Sequence, residues 1–444
     1  MSENKNVSSN GMVKNVGVAT AIFTVVGSII GAGVFFKPQA IYTATGGAPG
    51  LGMLGWVIAG LITLCAGLTV SELAASIPKT GGMIVYIREI YGDRLGFLAG
   101  WVQVFLYFPG MISALAVIFA DQFVSLTGMS YLKFPVVLIV ITIITIFNLW
   151  GSKPVAYLGN VATICKVAVL IIIMIAGFVL GKGSNPVIHP FVAEGVNPVI
   201  AAGSVLLAIF FAFDGWINVC ALAGEMKNPG RDLAKSIVWG LIGVMLIYLV
   251  INLAYLHVLP ASDLAKTATP GLAVSIAIFG EMGGKILGMG IMISVFGAAT
   301  AFSFTGSRVL YALAEEKILP KSDKLLELNS NKVPKYSILF MSIISALFAL
   351  SGQFNLLSDL AIFSIWIFIV LTFFAVLKNR KLNDVSKFTY KVPLYPIVPI
   401  IAILGGAFVL VVQLINNTMI SFGSIGILLL GLPIYQINKN KKKK

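Results

Sequence analysis

GSIIGAGVFFKP, residues 27–38, interrupts the first apolar run of the chain with three glycines inside seven positions. A helix in hydrocarbon keeps its backbone hydrogen bonds internal, because no water is present to satisfy a freed amide or carbonyl. Three readings of the glycines are open. A nucleotide loop needs a preceding strand and a Walker-type Lys-Ser/Thr or a downstream acid, and this stretch has neither context. Gly27 and Gly31 form a GxxxG pair, which suits close packing of one helix on another. Gly31 to Gly33 suit a deliberate break, whose unpaired backbone is tolerated at membrane depth only where it lines a cavity. On these twelve residues alone, packing and break both stand.

The surrounding composition supplies the solvent. Of 444 residues, 58% are hydrophobic and 11% charged, and the mean hydropathy is +0.97, which excludes a soluble globular chain and predicts an all-α integral membrane protein. About twelve runs reach the length of a span: 15–44, 51–77, 95–125, 134–151, 156–181, 198–224, 235–259, 283–314, 336–352, 356–377, 393–416 and 418–436. The first run outlasts the h-region of a signal peptide and has no A-x-A-like site after it, so it reads as a retained helix. The formal net charge of +14 is spread by loop rather than gathered in a stripe, which argues against nucleic acid and for orientation. With the N-terminus inside, 25 of the 31 Lys and Arg fall on the cytoplasmic side, including Lys441 to Lys444. Lys37, Lys133, Lys182, Lys266 and Lys285 fall outside, and Lys166 lies within a span. Both termini are therefore expected in the cytoplasm.

Enzyme chemistry and metal binding find no support. Cys65, Cys165 and Cys220 sit within spans at no metal-ligand spacing, only two histidines exist, and there is no G-x-S-x-G and no phosphate loop. No cofactor and no metal site is expected.

Organisation follows from parity. Ten spans split into two fives make the second five enter from the opposite face, an inverted repeat whose binding site is built where corresponding spans are broken. Span six carries FAFDGW at 211–216, an Asp-Gly pair amid apolar residues, opposite the break in span one. The expected division is a cytoplasmic tail 1–14, a first five-helix repeat 15–181, a second inverted repeat 198–377, two further helices in 393–436, and a basic tail 437–444. Counting about 1.5 Å per residue from Lys14 puts Ser28 about 21 Å in, at middle depth. Helix ends facing one cavity suit a zwitterion, since N-terminal amides attract a carboxylate and C-terminal carbonyls an ammonium.

These stretches, with EMKNP at 225–229 and IPKTGG at 77–82, resemble the L-type amino acid transporter branch of the amino acid–polyamine–organocation superfamily. The likeness is greatest to bacterial exchangers of serine and threonine, or of alanine, serine and cysteine, and it covers essentially the whole chain. It implies twelve helices in the five-plus-five inverted-repeat fold with helices 1 and 6 discontinuous. It further implies that the backbone of Gly31, Ala32 and Gly33 holds the substrate carboxylate, and that the carbonyls of Ile29, Phe211, Ala212 and Asp214 hold its ammonium. Ala32 stands where the family often has serine, which removes one hydroxyl contact.

Other side chains join this site. Phe211 and Phe213 flank the second break as gate and pocket residues or as plain core, and Asn218, one turn on, either reads the substrate or bonds neighbouring backbone. Lys166 is the one cation expected deep in a span, and such residues are functional candidates. At the same counted depth as Tyr248 and the first break, it is expected to donate to carbonyls near Gly27 or Ser28, with Tyr248 as a further partner. The resemblance implies that a lysine here replaces a coupling sodium. Asp214 is expected to cap the second half of span six. Glu72, Glu225 and Arg308 are interfacial charges or an inner gate.

The chain is thus expected to be a sodium-independent antiporter of small neutral L-amino acids such as alanine, serine, threonine and cysteine, working by alternating access in a bacterial cytoplasmic membrane. The alternative is a proton-coupled symporter with Lys166 as the titrating group. Its partners are the amino acid and membrane lipid. Animal members bond a heavy subunit through a cysteine between spans three and four, but residues 127–134 contain none, so no disulfide-linked heavy subunit is expected.

Overall fold

A computed structural model describes residues 17–442 apart from 78–81, 182, 184, 218–225 and 227–228. Asn218, Cys220, Glu225 and most of the EMKNP and IPKTGG stretches lie outside the described residues. Regular structure among the described residues is helical: α1 Val18–Ile29, α2 Gly33–Ala44, α3 Gly50–Ser76, α4 Gly82–Tyr91, α5 Asp93–Val102, α6 Phe108–Thr127, α7 Lys133–Trp150, α8 Ser152–Leu180, α9 Pro198–Phe213, α10 Pro229–Val258, α11 Ala261–Lys266, α12 Pro270–Glu315, α13 Ser322–Leu325, α14 Lys335–Ala349, α15 Phe354–Leu382, α16 Ile397–Asn416 and α17 Thr418–Lys442. Among these residues nine helices are long and apolar enough to cross a membrane, α5 and α6 counting as one through a π-helical turn at Gln103–Tyr107. Ten result when the bent pair α1 and α2 is counted as one, and α9 and α14 are shorter apolar helices. The protein is a multi-pass membrane protein.

Local chemistry sets the helix ends. α9 starts where the Asn197 carboxamide accepts from the amides of Val199 and Ile200, with Pro198 at the first helical position. α6 stops at Gly128, whose φ of 75° closes the last turn in the left-handed region. One expected boundary shifts: the run 283–314 belongs to a longer helix that starts at Pro270 and breaks at Gly280, φ 70°. In the first run two helices meet at a 47° bend.

Burial sorts the helices into centre and rim. Within an apolar stretch of 18 residues in each, 83% of positions are buried in Asp93–Thr127 and 72% in α15, whereas α7 and α8 each have 28% and α17 has 22%. α9 is buried along nearly its whole length from Ala201 to Phe213. Side chains such as Ile164, Ile172 and Ile175 on α8 face outward, as lipid contact allows. One charged tie joins the rim of the core: Glu72 on α3, fully buried, accepts from Arg380 Nε at 2.7 Å, Arg380 Nη2 at 2.5 Å and the Val392 amide at 2.6 Å. Arg308 instead lies over the Phe304 ring and bonds the Phe304 carbonyl, so of the three charges read as interfacial or as an inner gate, Glu72 is paired with Arg380 and not with Arg308.

Breaking a buried, hydrogen-bonded pair strands the remaining charge. Glu72→Ala is expected to cost on the order of 3 kcal/mol and to lower the melting midpoint in detergent more than Glu72→Gln; a wild-type midpoint for the alanine variant would contradict this role of the pair.

Candidate functional site

The break between α1 and α2 sets the site. α1 ends at Ile29, Ile30 is extended with ψ 104°, and α2 restarts at Gly33 with Ala32 as an N-cap that offers no side-chain bond. The last carbonyls of a helix have no partner within it, and here those of Gly27 and Ile29 find one on other helices. Val26 O accepts from the Ile30 amide at 3.0 Å, and Gly27 O accepts from Lys166 Nζ at 2.6 Å. The Tyr248 hydroxyl is shared between Ile29 O at 3.1 Å and Ala212 O at 2.9 Å. That single hydroxyl ties the end of α1 to the end of α9.

The two breaks touch directly. Ser28 Oγ donates to Val25 O at 2.9 Å and to Gly215 O at 3.2 Å. Gly215 has φ +101°, and a Cβ there would meet Ser28 O at 2.6 Å, so both its conformation and its neighbour demand glycine. A Cβ on Gly33 would lie 2.5 Å from Ala212 Cα, which lets the start of α2 approach the end of α9. The break between α1 and α2 and the end of α9 thus form one junction.

A cavity of about 290 Å³ opens beside this junction. Gly27, Ser28, Ile29, Gly31, Ala32, Gly33, Lys166, Phe211 and Asp214 all lie on its wall. Ala212, Phe213 and Tyr248 stand behind it. Phe213 packs edge-on against Tyr248 at 5.2 Å and tilted against Trp56 at 6.3 Å, so its placing as a pocket residue is corrected: on α9 it points away from the face that carries Phe211. Three expected ammonium ligands are also partly engaged, since Phe211 O accepts from the Asp214 amide at 3.2 Å and Ile29 O and Ala212 O from Tyr248. A carbonyl retains a second lone pair in each case.

Asp214, expected to cap the second half of span six, has a further side-chain partner. Its Oδ2 accepts from Tyr107 Oη at 2.5 Å, and both groups are buried. The partner comes from the π-helical turn Gln103–Tyr107, where an extra residue re-aims the side chains that follow. The helix that such a cap would open would continue into residues 218–225, which lie outside the described chain.

A second buried cation corrects the expectation that Lys166 stands alone. Counting from the loops puts Lys37 at the outer surface, but α2 runs through Pro38 to Ala44 and Lys37 is fully buried. Its ammonium donates to Ser358 Oγ at 2.7 Å and meets Asp359 Oδ1 at 3.3 Å and Asn355 Oδ1 at 3.4 Å on α15. It also lies 4.8 Å from the Phe211 ring and 5.0 Å from the Phe354 ring, which meet edge to face at 5.5 Å. Cation and rings close the cavity on the side of α2 and α15. On the opposite side its wall continues through Gly159 and Thr163 of α8 and Thr305 of α12. Neither Tyr107 nor the Lys37 partners carry a local sequence signal: an aromatic in an apolar run and a lysine near a span end are ordinary features.

Chemically, the arrangement presents the negative ends of α1 and α9 and the positive end of α2 to one small space. It can hold a compact zwitterion. The cavity lies near the lower end of ligand-site volumes, which favours a small occupant.

Comparison with known proteins bears on this geometry. The profile of the amino acid permease family matches residues 16–432. The chain is similar to the serine/threonine exchanger SteT of Bacillus subtilis, at 39% identity over 98% of each chain. It is similar at 27% identity to the b(0,+)-type amino acid transporter 1 of Mus musculus, over 91% of this chain and 83% of the relative. It is also similar at 26% identity to the large neutral amino acids transporter small subunit 2 of Homo sapiens, over 95% and 80%. The chain belongs to the amino acid permease family, a family of membrane transporters and not of enzymes.

Proposed function

We propose that the protein is a sodium-independent exchanger of small neutral L-amino acids, among them serine, threonine, alanine and cysteine, that works by alternating access. The observation that carries the reading is the junction of two interrupted helices at one small cavity with an ammonium already seated on the Gly27 carbonyl. In this proposal the amides of Gly31, Ala32 and Gly33 at the start of α2 receive the substrate carboxylate. The free lone pairs of Ile29, Phe211, Ala212 and Asp214 carbonyls receive its ammonium. Lys166 supplies the positive charge that a mobile cation would otherwise bring to the freed end of α1.

The membrane arrangement proposed is twelve spans, the ten candidate crossings plus α9 and α14, in repeats 15–181 and 198–377 with two further helices in 393–436. The Lys and Arg bias supports cytoplasmic termini, and the Bacillus subtilis relative supports a bacterial cytoplasmic membrane. With that orientation the cavity extends toward the cytoplasmic ends of α8 and α12, and Lys37, Phe211 and Phe354 form the closed outer gate. Function requires no disulfide-linked partner.

Counterflow in sodium-free proteoliposomes tests the reading. Labelled serine is expected to enter only vesicles preloaded with amino acid, whereas uptake into empty vesicles driven by a proton gradient would establish the symporter instead. Lys166→Ala removes a charge-assisted bond worth about 1.5–3 kcal/mol and is expected to slow exchange roughly tenfold to a hundredfold; an unchanged rate would remove Lys166 from the mechanism. The outer gate has its own test, in a background lacking native cysteines. A cysteine at Ala298, on the cavity wall, is expected to react with a membrane-impermeant thiol reagent from outside about tenfold faster when Lys37→Gln weakens the lock; equal rates would show that Lys37 does not hold the gate.

A further inference from the structure

The cavity wall contains a buried hydroxyl without a partner. Serine and threonine inside helices ordinarily return their hydroxyl to the carbonyl four residues back. Thr63, Ser71, Thr145, Ser275, Thr300 and Ser345 all do so here at 2.7–2.8 Å. Ser294 on α12 does not: it is 1% exposed, lines the cavity, and its Oγ makes no hydrogen bond among the described residues. A buried hydroxyl left unpaired costs about 1–3 kcal/mol. Its position therefore points to a partner that arrives with the ligand.

Packing places Ser294 at the depth of the site. α12 runs antiparallel to α8: a Cβ on Gly297 would run into Ala162, and a Cβ on Gly290 would lie 2.7 Å from Val169. Lys166 falls midway between Ala162 and Val169, and Ser294 falls midway between Gly290 and Gly297. The serine therefore stands level with Lys166 and with the α1 break.

The wall is divided by chemistry. Helix ends of α1, α2 and α9 occupy one side, where the backbone charges of an amino acid belong. The facing wall, from α6 and α12, is apolar at Met111, Leu115, Ala298 and Phe302, with Ser294 as its buried hydroxyl. We infer that Ser294 is a specificity-determining residue that hydrogen-bonds the β-hydroxyl of a serine or threonine substrate, so that the site favours hydroxylated over plain aliphatic small amino acids. The inference rests on the proposed amino acid site.

The experiment is competition counterflow with serine, threonine and alanine on wild-type and Ser294→Ala protein. The variant is expected to lower the apparent affinity for serine and threonine by roughly fivefold relative to that for alanine, the factor that one neutral hydrogen bond of about 1 kcal/mol supplies. Ser294→Gly is expected to give the same drop in ratio, and Ser294→Thr to keep the wild-type ratio. A Ser294→Ala protein that exchanges all three with the wild-type ratio overturns the assignment. So does an equal loss for all three, which would make Ser294 a support for Lys166. A wild type that exchanges none of them overturns the amino acid site itself, and the Ser294 assignment with it.

Discussion

A helix interrupted inside hydrocarbon releases carbonyls and amides that water cannot reach, and the rest of the molecule is arranged around meeting them. At the end of α1 the freed carbonyls of Gly27 and Ile29 are met by the Lys166 ammonium of α8 and the Tyr248 hydroxyl of α10, while the Ser28 hydroxyl donates to the Gly215 carbonyl beyond α9. Each of these bonds ties a separate part of the chain to the break. Tyr248 does most, because one hydroxyl spans the carbonyls of Ile29 and Ala212 and is itself wedged between Trp56 and Phe213.

The same constraint makes the junction suitable for transport. Interactions that hold α1 from the side of α8 and α10 are distinct from those that hold α2, whose Lys37 is bound to α15. A broken helix can therefore have its two halves released independently, one on each side of the cavity. The glycines serve this geometry twice, at Gly33 by close approach to Ala212 and at Gly215 by a backbone that other residues adopt only with strain.

Much of this was legible along the chain, for reasons that can be named. The depth of Lys166 follows from counting at a fixed rise per residue, and a cation at that depth needs carbonyls or a counter-charge; the Gly27 carbonyl lies where that count puts it. Lys37 defeats the same count, because its burial comes from α15 folding over it and not from its distance to a loop. Phe211 and Phe213 look alike in FAFDGW, yet two residues along a helix turn a side chain by about 200°. One reaches the cavity and the other the Trp56 cluster.

The sequence by itself determined the solvent, the helical class and the break in the first run, because hydropathy, length and glycine placement are local properties that hydrocarbon translates directly into structure. The tertiary structure alone decided which buried groups are partners: Tyr107 with Asp214, Lys37 with Asp359 and Ser358, Glu72 with Arg380, and Ser294 with none among the described residues. Those pairings join helices far apart in the chain. They depend on how helices rotate and pack against one another, and no single run of residues encodes that.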